Sequence, residues 1–417
     1  MMREYDVIII GGGSAGLSSA IEIYKEGFKN ILLIERDIEL GGILLQCIHN
    51  GFGLKVFKEE LTGPEYAERF VDELMELGIE YKLDSVVTKI NPDKSIEYVN
   101  TKDGFANVKA KAIVLTMGCY ERSAGAISIP GTRPAGVLTA GQAQKYLNID
   151  GYLVGKKVFI LGSGDIGLIM ARRMTLEGAE VLGVAEILPF SGGLNRNIVQ
   201  CLKDYDIPLY LNHTITDIIG DVNLEKIVLT KVDNFQPIPG TEKEFEVDTL
   251  LLSIGLIPEN EISENAGIIL DGKTKGPIVD ESYQTSKAGV FACGNALHVH
   301  DLVDFVTEES RRTGRSVARY LKNELKSAND NIQLLPADGI SYIVPQNINV
   351  SNIENKLELF MRVTAEYKNV SLVVYSGDTE IKRMKKRHMA PAEMEKVILT
   401  KADLSKVTKT LSIKVVG

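Results

Sequence analysis

The sequence predicts an α/β protein in which one βαβ domain is inserted into another and a small antiparallel β-sandwich follows at the C-terminus. Three observations carry this prediction. A glycine-rich turn follows a short apolar run at Gly11–Gly16, and the same pattern restarts about 150 residues later at Gly162–Gly167. Beyond residue 330 the apolar residues change to a spacing of two, which is typical of β-strands with one buried face.

Composition limits the class of protein. The chain has 417 residues, which suggests two or three domains at about 150 residues each. An apolar fraction of 44% and a charged fraction of 25% are typical of a folded globular protein. A net charge of −9 disfavours nucleic-acid binding, and no apolar run approaches the roughly 20 residues of a membrane span. The chain starts without a signal-peptide pattern, so we expect a cytoplasmic protein without an integral membrane span.

The four cysteines form no Cys-x-x-Cys pair, and none lies beyond residue 293. This spacing argues against a disulfide-stapled fold and against a Cys-rich zinc or iron–sulfur site.

The first glycine-rich turn lies in a complete strand–turn–helix–strand unit. The apolar run Tyr5–Ile10 predicts a buried parallel strand, apolar residues then recur at helical spacing, and Ile31–Ile34 predicts the next strand, which ends at Glu35. In the spacing Gly-x-Gly-x-x-Gly, the first glycine permits a tight turn and the second lets the backbone approach a pyrophosphate. The third lets helix and strand pack closely, and the acid can accept the ribose hydroxyls of an adenosine. The unit predicts a Rossmann-like dinucleotide site.

The second unit meets the same requirements. Val158–Leu161 is its first strand, Gly162–Gly167 its turn, and Val181–Ala185 its second strand, which ends at Glu186. The acid favours NAD over NADP because a carboxylate repels a 2′-phosphate, and residues 187–191 contain no arginine to receive that phosphate. Two dinucleotide sites in one chain suggest hydride transfer between a nicotinamide and a flavin.

These motifs resemble those of the two-dinucleotide-binding-domain flavoproteins, the pyridine nucleotide–disulfide oxidoreductase superfamily. The resemblance covers about residues 4–326. It rests on these segments: Gly11–Gly16 with Glu35, residues 116–118, Gly162–Gly167 with Glu186, and Gly289–Asn295. It implies that the first unit binds FAD, that the inserted unit binds NAD(H), and that the stretch ending at Asn295 reaches the ribityl and pyrophosphate groups. The family usually has Asp where this chain has Asn295, and an amide can still bond a ribityl hydroxyl.

The resemblance also assigns individual residues to the two cofactors. The residues expected to hold FAD are Gly11, Gly13, Ser14, Ala15, Gly16, Glu35, Arg36, Gly42, Val87, Met117, Gly118, Gly294 and Asn295. Those expected to hold NAD(H) are Gly162, Gly164, Asp165, Ile166, Gly167, Glu186 and Gly255. A carboxylate at Asp165 is unfavourable beside a pyrophosphate unless its side chain points elsewhere, for example towards the nicotinamide or the flavin.

Three domains follow from the repeat and the change of period. We expect a discontinuous FAD-binding domain at residues 1–120 and 253–330, an NAD-binding domain with linkers at 121–252, and a C-terminal β module at 331–417. Further predicted elements are helices at Glu65–Leu77, Gly141–Asn148 and about Asp301–Leu325, and a meander at Ser85–Ile90 and Ser95–Val99. In the β module, the apolar residues Leu357, Leu359, Met361 and Val363 alternate with Glu358, Phe360 and Arg362.

The redox centre departs from the family pattern. Disulfide reductases of this superfamily follow a Gly-Gly pair with two cysteines on the helix beside the flavin. Here Gly41-Gly42 is followed by Leu44 near the first position and Cys47 near the second. A single thiol cannot cycle through an intramolecular disulfide, so disulfide reductase activity is not expected. Cys47 and His49 remain the candidate catalytic residues, and the alternative is a buried cysteine that packs as a small apolar residue.

A narrower resemblance sets the expected function. Residues 117–122, 129–131, 138–141 and 298–301 resemble a subfamily that includes flavoprotein subunits of amine and opine oxidases, proline dehydrogenase and hydrogen cyanide synthase. It also includes stand-alone NAD/FAD-dependent dehydrogenases associated with glycerol 3-phosphate dehydrogenase. The resemblance implies an NADH-linked flavoprotein that exchanges electrons with a partner dehydrogenase or iron–sulfur protein. The alternatives are an NADH oxidase or peroxidase based on Cys47, and a non-catalytic flavin-bearing component of a dehydrogenase complex. A homo-oligomer is compatible with the sequence.

Two polar segments are open to both a structural and a functional interpretation. His298, His300 and Asp301 are metal-ligand types, but a metal needs three or four converging ligands and no fourth is evident, so no metal is expected. Asp301 is instead predicted to cap the following helix. The basic run Lys382–His388 predicts a solvated strand or hairpin, with docking of an acidic partner as the alternative.

Overall fold

The structure, a computed structural model, describes residues 2–326, 331–407 and 410–417. It divides into two compact units: the first comprises Met1–Cys119 and Pro258–Gly417, and the second comprises Tyr120–Ile257. Each unit contains a sheet of parallel strands, so the predicted α/β class with two Rossmann-like sheets is confirmed. No helix among the described residues is long and apolar enough to span a membrane.

The helices and strands fall into three groups along the chain. The first group is β1 (Arg3–Ile10), α1 (Ser14–Lys25), β2 (Ile31–Ile34), β3 (Asn50–Phe52), β4 (Leu61–Thr62), α2 (Gly63–Glu76), β5 (Glu80–Lys82), β6 (Ser85–Ile90), β7 (Ser95–Asn100) and β8 (Gly104–Leu115). The second group is β9 (Cys119–Glu121), β10 (Val137–Thr139), α3 (Ala140–Asn148), β11 (Lys157–Leu161), α4 (Asp165–Leu176), β12 (Glu180–Glu186), α5 (Asn195–Cys201), β13 (Leu209–Leu211), β14 (His213–Gly220), β15 (Leu224–Asp233), β16 (Gln236–Pro237), β17 (Lys243–Glu246), β18 (Thr249–Leu252) and β19 (Leu256–Pro258). The third group is α6 (Glu261–Asn265), β20 (Val290–Ala292), α7 (Val303–Leu321), β21 (Ile332–Pro336), β22 (Ile340–Val344), β23 (Asn347–Ile348), β24 (Lys356–Val363), β25 (Tyr367–Ser376), β26 (Thr379–Met389), β27 (Glu395–Thr400), α8 (Lys401–Leu404) and β28 (Leu411–Val416).

The main sheet of the first unit has the order β5-β2-β1-β8-β7-β6, with β20 beside β8. The pairs β1–β2, β1–β8 and β8–β20 are parallel, whereas β6, β7 and β8 form an antiparallel meander. Apolar residues of β1 are buried on both faces of the sheet, as expected for a central strand. The carboxyl ends of β1, β8 and β20 therefore meet at one edge, where the first glycine turn begins.

The second unit repeats this arrangement in a smaller form. Its parallel sheet has the order β10-β18-β11-β12-β13, and an antiparallel sheet of β14 to β17 accompanies it. The second glycine turn leaves the carboxyl end of β11 and leads into α4. Residues 253–257 are grouped with this unit.

The helices α2 and α7 differ in whether a nearby side chain caps their N-terminus. α2 begins at Gly63, two residues before the predicted start, because Thr62 and Glu65 form a reciprocal capping box. α7 begins at Val303, and the prediction that Asp301 caps it is wrong. The Asp301 carboxylate instead accepts hydrogen bonds from the Arg362 guanidinium and the Met394 N–H, so a distant cation takes the place of a local cap.

The C-terminal β module packs two sheets, β23-β21-β28-β25-β26 and β22-β24-β27, around an apolar core. Every strand pair in it is antiparallel among the described residues except β21–β28, which is parallel. The alternation in β24 suggests an outward face, but Glu358 and Phe360 are buried. This second face packs on α7 and on the loop before it: the Phe360 ring lies 6.0 Å from the His298 ring, and Glu358 pairs with Arg312 at 2.9 Å.

Candidate functional site

Two positions in the first glycine turn must be glycine because an added Cβ would collide with the protein's own backbone. Gly11 has a φ of +108°, and a Cβ there would lie 2.4 Å from the Thr116 carbonyl oxygen. A Cβ on Gly16 would lie 1.8 Å from the Gly11 carbonyl oxygen. Gly13 differs, because the atom nearest to an added Cβ is the Gly42 Cα at 4.0 Å. A side chain at Gly13 would enter open space where the motif directs a pyrophosphate.

The acid that follows β2 is held against this turn. Glu35 is 6% exposed, and its Oε2 accepts a hydrogen bond from the Gly12 N–H while its Oε1 accepts one from the Asp37 N–H at 2.8 Å. Among the described residues no side chain caps the N-terminus of α1, and the first turn of α1 carries no acid. The N–H groups at this helix end are therefore available to an anion, which fits the pyrophosphate of a dinucleotide.

The second glycine turn has the same restrictions. Gly162 has a φ of +99°, and a Cβ there would lie 2.1 Å from the Ser253 carbonyl oxygen. A Cβ on Gly167 would lie 2.7 Å from the Gly162 carbonyl oxygen. Gly164 has less free space than its counterpart in the first turn, since an added Cβ would approach the Ser253 Oγ to 3.2 Å.

Glu186 repeats the hydrogen bonds of Glu35. Its Oε2 accepts from the Ser163 N–H at 3.0 Å and the Ser163 Oγ at 2.6 Å, and its Oε1 accepts from the Leu188 N–H at 3.1 Å. In both units the acid thus binds the second residue of the glycine turn and the residue two positions after itself. The internal repeat extends from the sequence to the hydrogen bonds of the two carboxylates.

Asp165 is engaged by the loop before α5. Its Oδ1 accepts hydrogen bonds from the Leu194 N–H at 2.8 Å and from the Asn197 Nδ2 at 2.7 Å. The same loop touches the turn through the Gly192 N–H, which donates to the Ser163 Oγ at 2.9 Å. Asp165 therefore ties the loop before α5 to the start of α4.

Two further loops close around the first turn. Gly42 has a φ of +59°, and a Cβ there would lie 3.0 Å from the Gly13 Cα. Gly294 has a φ of +68°, and a Cβ there would lie 2.7 Å from the Ala15 Cβ. Both positions favour glycine because of their positive φ, and an added Cβ would meet backbone at Gly42 and neighbouring side chains at Gly294.

The other residues predicted for the cofactor sites have varied surroundings. The Asn295 Oδ1 accepts a hydrogen bond from the His300 N–H at 3.0 Å, Arg36 forms an exposed ion pair with Glu259 at 3.2 Å, and Val87 is buried in the core beside the sheet. The remaining ones are Ser14 and Ile166 in the first turns of α1 and α4, Met117 beside the same core, and Gly118 and Gly255 with positive φ in their respective loops.

Cys47 lies at the end of a short 3₁₀ helix, Gly42–Gln46, at the position where the family resemblance directs a redox pair. The Leu44 side chain is buried in the core there, and the Cys47 Sγ donates to the Ile43 carbonyl oxygen at 3.3 Å. Burial raises the pKa of the Cys47 thiol to about 12, whereas a redox thiol needs a lowered pKa. The His49 ring packs 5.0 Å from the Phe52 ring.

A buried cluster of two histidines and a glutamate lies behind Gly294. The Glu309 Oε1 accepts a hydrogen bond from the Gly294 N–H at 2.8 Å, and its Oε2 accepts one from the His298 Nε2 at 2.8 Å. The His300 Nε2 lies 3.3 Å from the same Oε2. Although burial opposes its ionisation, the two imidazoles hold the pKa of Glu309 well below its usual range, and burial lowers the pKa of His298.

Asp304 is a buried acid that the sequence patterns did not single out. Its Oδ1 accepts hydrogen bonds from the Lys55 N–H at 3.2 Å and the Val56 N–H at 2.8 Å, and its Oδ2 accepts one from the Gly53 N–H at 3.2 Å. Asp304 thus fixes the loop after Cys47 to the first turn of α7. The sequence offers one signal for Asp304, which is its position in the first turn of α7. That signal is not specific, because an acid in the first turn is favourable in any helix.

A model of the pyridine nucleotide-disulphide oxidoreductase family matches residues 5–334, most of the chain. The chain belongs to this family. Members are oxidoreductases that use FAD and NAD(P)H. The predicted cofactor classes are therefore confirmed at the level of the family.

Relatives and solved structures agree with this assignment. The chain is 26% identical to a thioredoxin reductase of Bacillus subtilis over 300 residues, which cover 70% of this chain and 87% of the relative. It is 24% identical to an opine oxidase subunit from Agrobacterium tumefaciens over 317 residues, which cover 71% of this chain and 62% of that relative. The fold resembles the crystal structure of T. acidophilum thioredoxin reductase with a TM-score of 0.61 and 24% identity, over 76% of this chain and 98% of that one.

Proposed function

We propose that this protein is an FAD-dependent NAD(H) oxidoreductase without a redox disulfide, which passes electrons between NADH and a partner flavoprotein or iron–sulfur protein. The duplicated site carries the proposal. Each unit has a glycine turn beside a buried acid, and both oxygens of that acid accept hydrogen bonds from the same two relative positions. Family membership supports oxidoreductase chemistry with FAD and NAD(P)H.

The first turn would hold FAD. The open space above Gly13 and the uncapped N–H groups of α1 suit a pyrophosphate. Glu35 would exchange its backbone partners for the ribose hydroxyls of the adenosine. Gly294 and Asn295, whose loop packs against the start of α1, would hold the ribityl chain.

The second turn would hold NAD(H) in preference to NADP(H). Glu186 is the acid at the ribose, and a 2′-phosphate beside it would be repelled. The neighbouring loop is fastened to the turn through Asp165 and Gly192, and the carboxylate of Asp165 is engaged by that loop.

FAD, when bound, exchanges a hydride with a nicotinamide and releases electrons one or two at a time. The residues of this chain act by binding and orienting the two cofactors, because hydride transfer depends on the alignment of the reacting rings. No side chain is assigned a proton-transfer role in that step.

We propose that electrons leave the flavin without passing through a redox-active thiol. Leu44 is buried where a first cysteine would be needed, and burial keeps Cys47 protonated at neutral pH. A separate acceptor protein is supported by similarity to the opine oxidase relative, which its name describes as one subunit of an oxidase. The association with a glycerol 3-phosphate dehydrogenase rests on the sequence resemblance, and the cytoplasmic location stays a prediction.

An anaerobic reduction experiment tests the proposal. NADH should bleach the absorbance of protein-bound FAD rapidly, and NADPH should do so far more slowly. NAD⁺ should also raise the melting temperature, because a ligand that binds the folded state stabilises it. Absence of bleaching at any NADH concentration, together with no shift by NAD⁺, would overturn the proposal in favour of a non-catalytic flavin-bearing component.

A further inference from the structure

The buried cluster of His298, His300 and Glu309 combines three metal-ligand side chains from one loop and one helix. His298 and His300 lie in the loop between β20 and α7, and Glu309 lies two turns into α7. The two imidazole rings are 4.3 Å apart, and one ligand atom from each of the three residues lies within 4.8 Å of the others. The sequence did not reveal this arrangement, because Glu309 is separated from the histidines along the chain and the path of the loop brings them together.

We propose that His298, His300 and Glu309 bind one divalent transition-metal ion of the Zn²⁺ or Fe²⁺ class. Metal–ligand bonds of about 2.1 Å put neighbouring ligand atoms roughly 3.0 Å apart in octahedral and 3.4 Å apart in tetrahedral geometry. The Glu309 Oε2 lies 2.8 Å from the His298 Nε2 and 3.3 Å from the His300 Nε2. These two separations are close to those of shared coordination, and each of the three ligand atoms lies within 4.8 Å of the other two.

The hydrogen bonds within the cluster leave some of its buried polar atoms without a partner among the described residues. The side chains are 1% exposed for His298 and His300 and 0% exposed for Glu309. The His300 Nε2 is buried and has no hydrogen-bond partner among the described residues, although the carboxylate oxygen lies 3.3 Å away. A metal ion would satisfy this nitrogen and the carboxylate together, since buried polar groups without partners are costly.

The surrounding charges leave Glu309 without a cationic side chain of its own. Arg362 is paired with Asp301, and Arg312 is paired with Glu358 at 2.9 Å. Among the described residues the ion-pair partners of Glu309 are the two histidines alone. Asp301 is engaged by Arg362 and by a backbone N–H, so it does not supply a further ligand. Water would complete the coordination, as in other three-ligand sites.

The ion would fasten the loop of Gly294 to the rest of the first unit. Glu309 holds the Gly294 N–H through its other oxygen, and the His298 ring contacts Phe360 and Tyr342 of the β module. We assign the metal a positioning role for this loop. Its presence can be measured whether or not the proposed electron transfer takes place.

Metal analysis of the full-length protein tests the proposal. Protein purified without chelators, or stripped with dipicolinate and then titrated anaerobically with Zn²⁺ or Fe²⁺, should retain about one ion per chain after desalting. His300→Gln should lower the retained metal at least tenfold, whereas His388→Gln, which changes an exposed histidine on β26, should retain it.

Glu309→Gln provides a second variant if His300→Gln does not fold, because its remaining oxygen can still accept the Gly294 N–H. It should also lose the ion. Wild-type protein that takes up neither metal would overturn the proposal, as would retention of the ion by a folded His300→Gln or Glu309→Gln variant. The melting temperature and circular dichroism of each variant establish that it is folded.

Discussion

Replacing Glu186 with Gln should weaken NADH binding while leaving FAD binding unchanged. The carboxylate accepts two hydrogen bonds through one oxygen and one through the other, at 2.6 to 3.1 Å. A glutamine keeps one acceptor oxygen and turns the other into a donor, which can no longer accept from a ribose hydroxyl. Losing one charge-assisted hydrogen bond costs about 1.5–3 kcal/mol, which corresponds to a roughly 10- to 150-fold higher Kd for NADH.

The selectivity for the dinucleotide should fall as well. Glu186→Gln removes the negative charge that opposes a 2′-phosphate, so the ratio of NADPH to NADH dissociation constants should move towards one. Both constants are measured anaerobically by isothermal titration calorimetry on FAD-loaded protein. Glu35→Gln is the matched control, because it makes the same change in the first unit and should lower FAD retention instead. A Glu186→Gln variant that binds NADH as tightly as wild type would refute the assignment of the second turn.

Four further outcomes follow from the structure. Cys47→Ser should change the rate of flavin bleaching by NADH less than about twofold in stopped-flow measurements, because the raised pKa of the Cys47 thiol keeps it protonated. Alkylation of Cys47 by iodoacetamide in the folded protein should be slow at pH 8 and should accelerate as the pH rises towards 12, because the pKa of the Cys47 thiol is about 12 and only the thiolate reacts. Fast alkylation at pH 8, measured by mass spectrometry, would contradict this prediction. Gly16→Ala should destabilise the protein by about 1–3 kcal/mol or prevent folding, whereas Gly13→Ala should leave the apoprotein's chemical denaturation unchanged and lower its FAD content. Arg362→Met should cost about 2–3 kcal/mol in the free energy of unfolding, measured by chemical denaturation, because it leaves the half-buried Asp301 carboxylate without its cation. Adding Asp301→Asn should recover part of that loss.

The dinucleotide units were predictable because their signals are local. A glycine turn, the strands on either side and the acid after the second strand lie within about 30 residues, and their spacing follows from the geometry of one βαβ unit. The capping box of Thr62 and Glu65 is local in the same way, so the helix it starts was placed within two residues.

The features that the sequence did not reveal depend on distant partners. Asp304 binds Gly53 across 251 positions, and Asp301 binds Arg362 across 61 positions. A local pattern predicts a helix cap at Asp301, but the half-buried guanidinium of Arg362 stabilises the carboxylate more strongly than exposed N–H groups would. The buried second face of β24 has the same origin, since nothing within the strand indicates that α7 will cover it.

The stoichiometry of anaerobic reduction tests the central claim most directly. NADH is added stepwise to FAD-loaded protein without oxygen or partner, and the flavin absorbance is followed to its end point. We predict that about one equivalent of NADH per FAD completes the reduction, because FAD is the redox group that takes up the two electrons. Consumption of a second equivalent before the end point would reveal a thiol-based redox centre, and no bleaching at all would remove the electron path from NADH to FAD; either result would contradict the account.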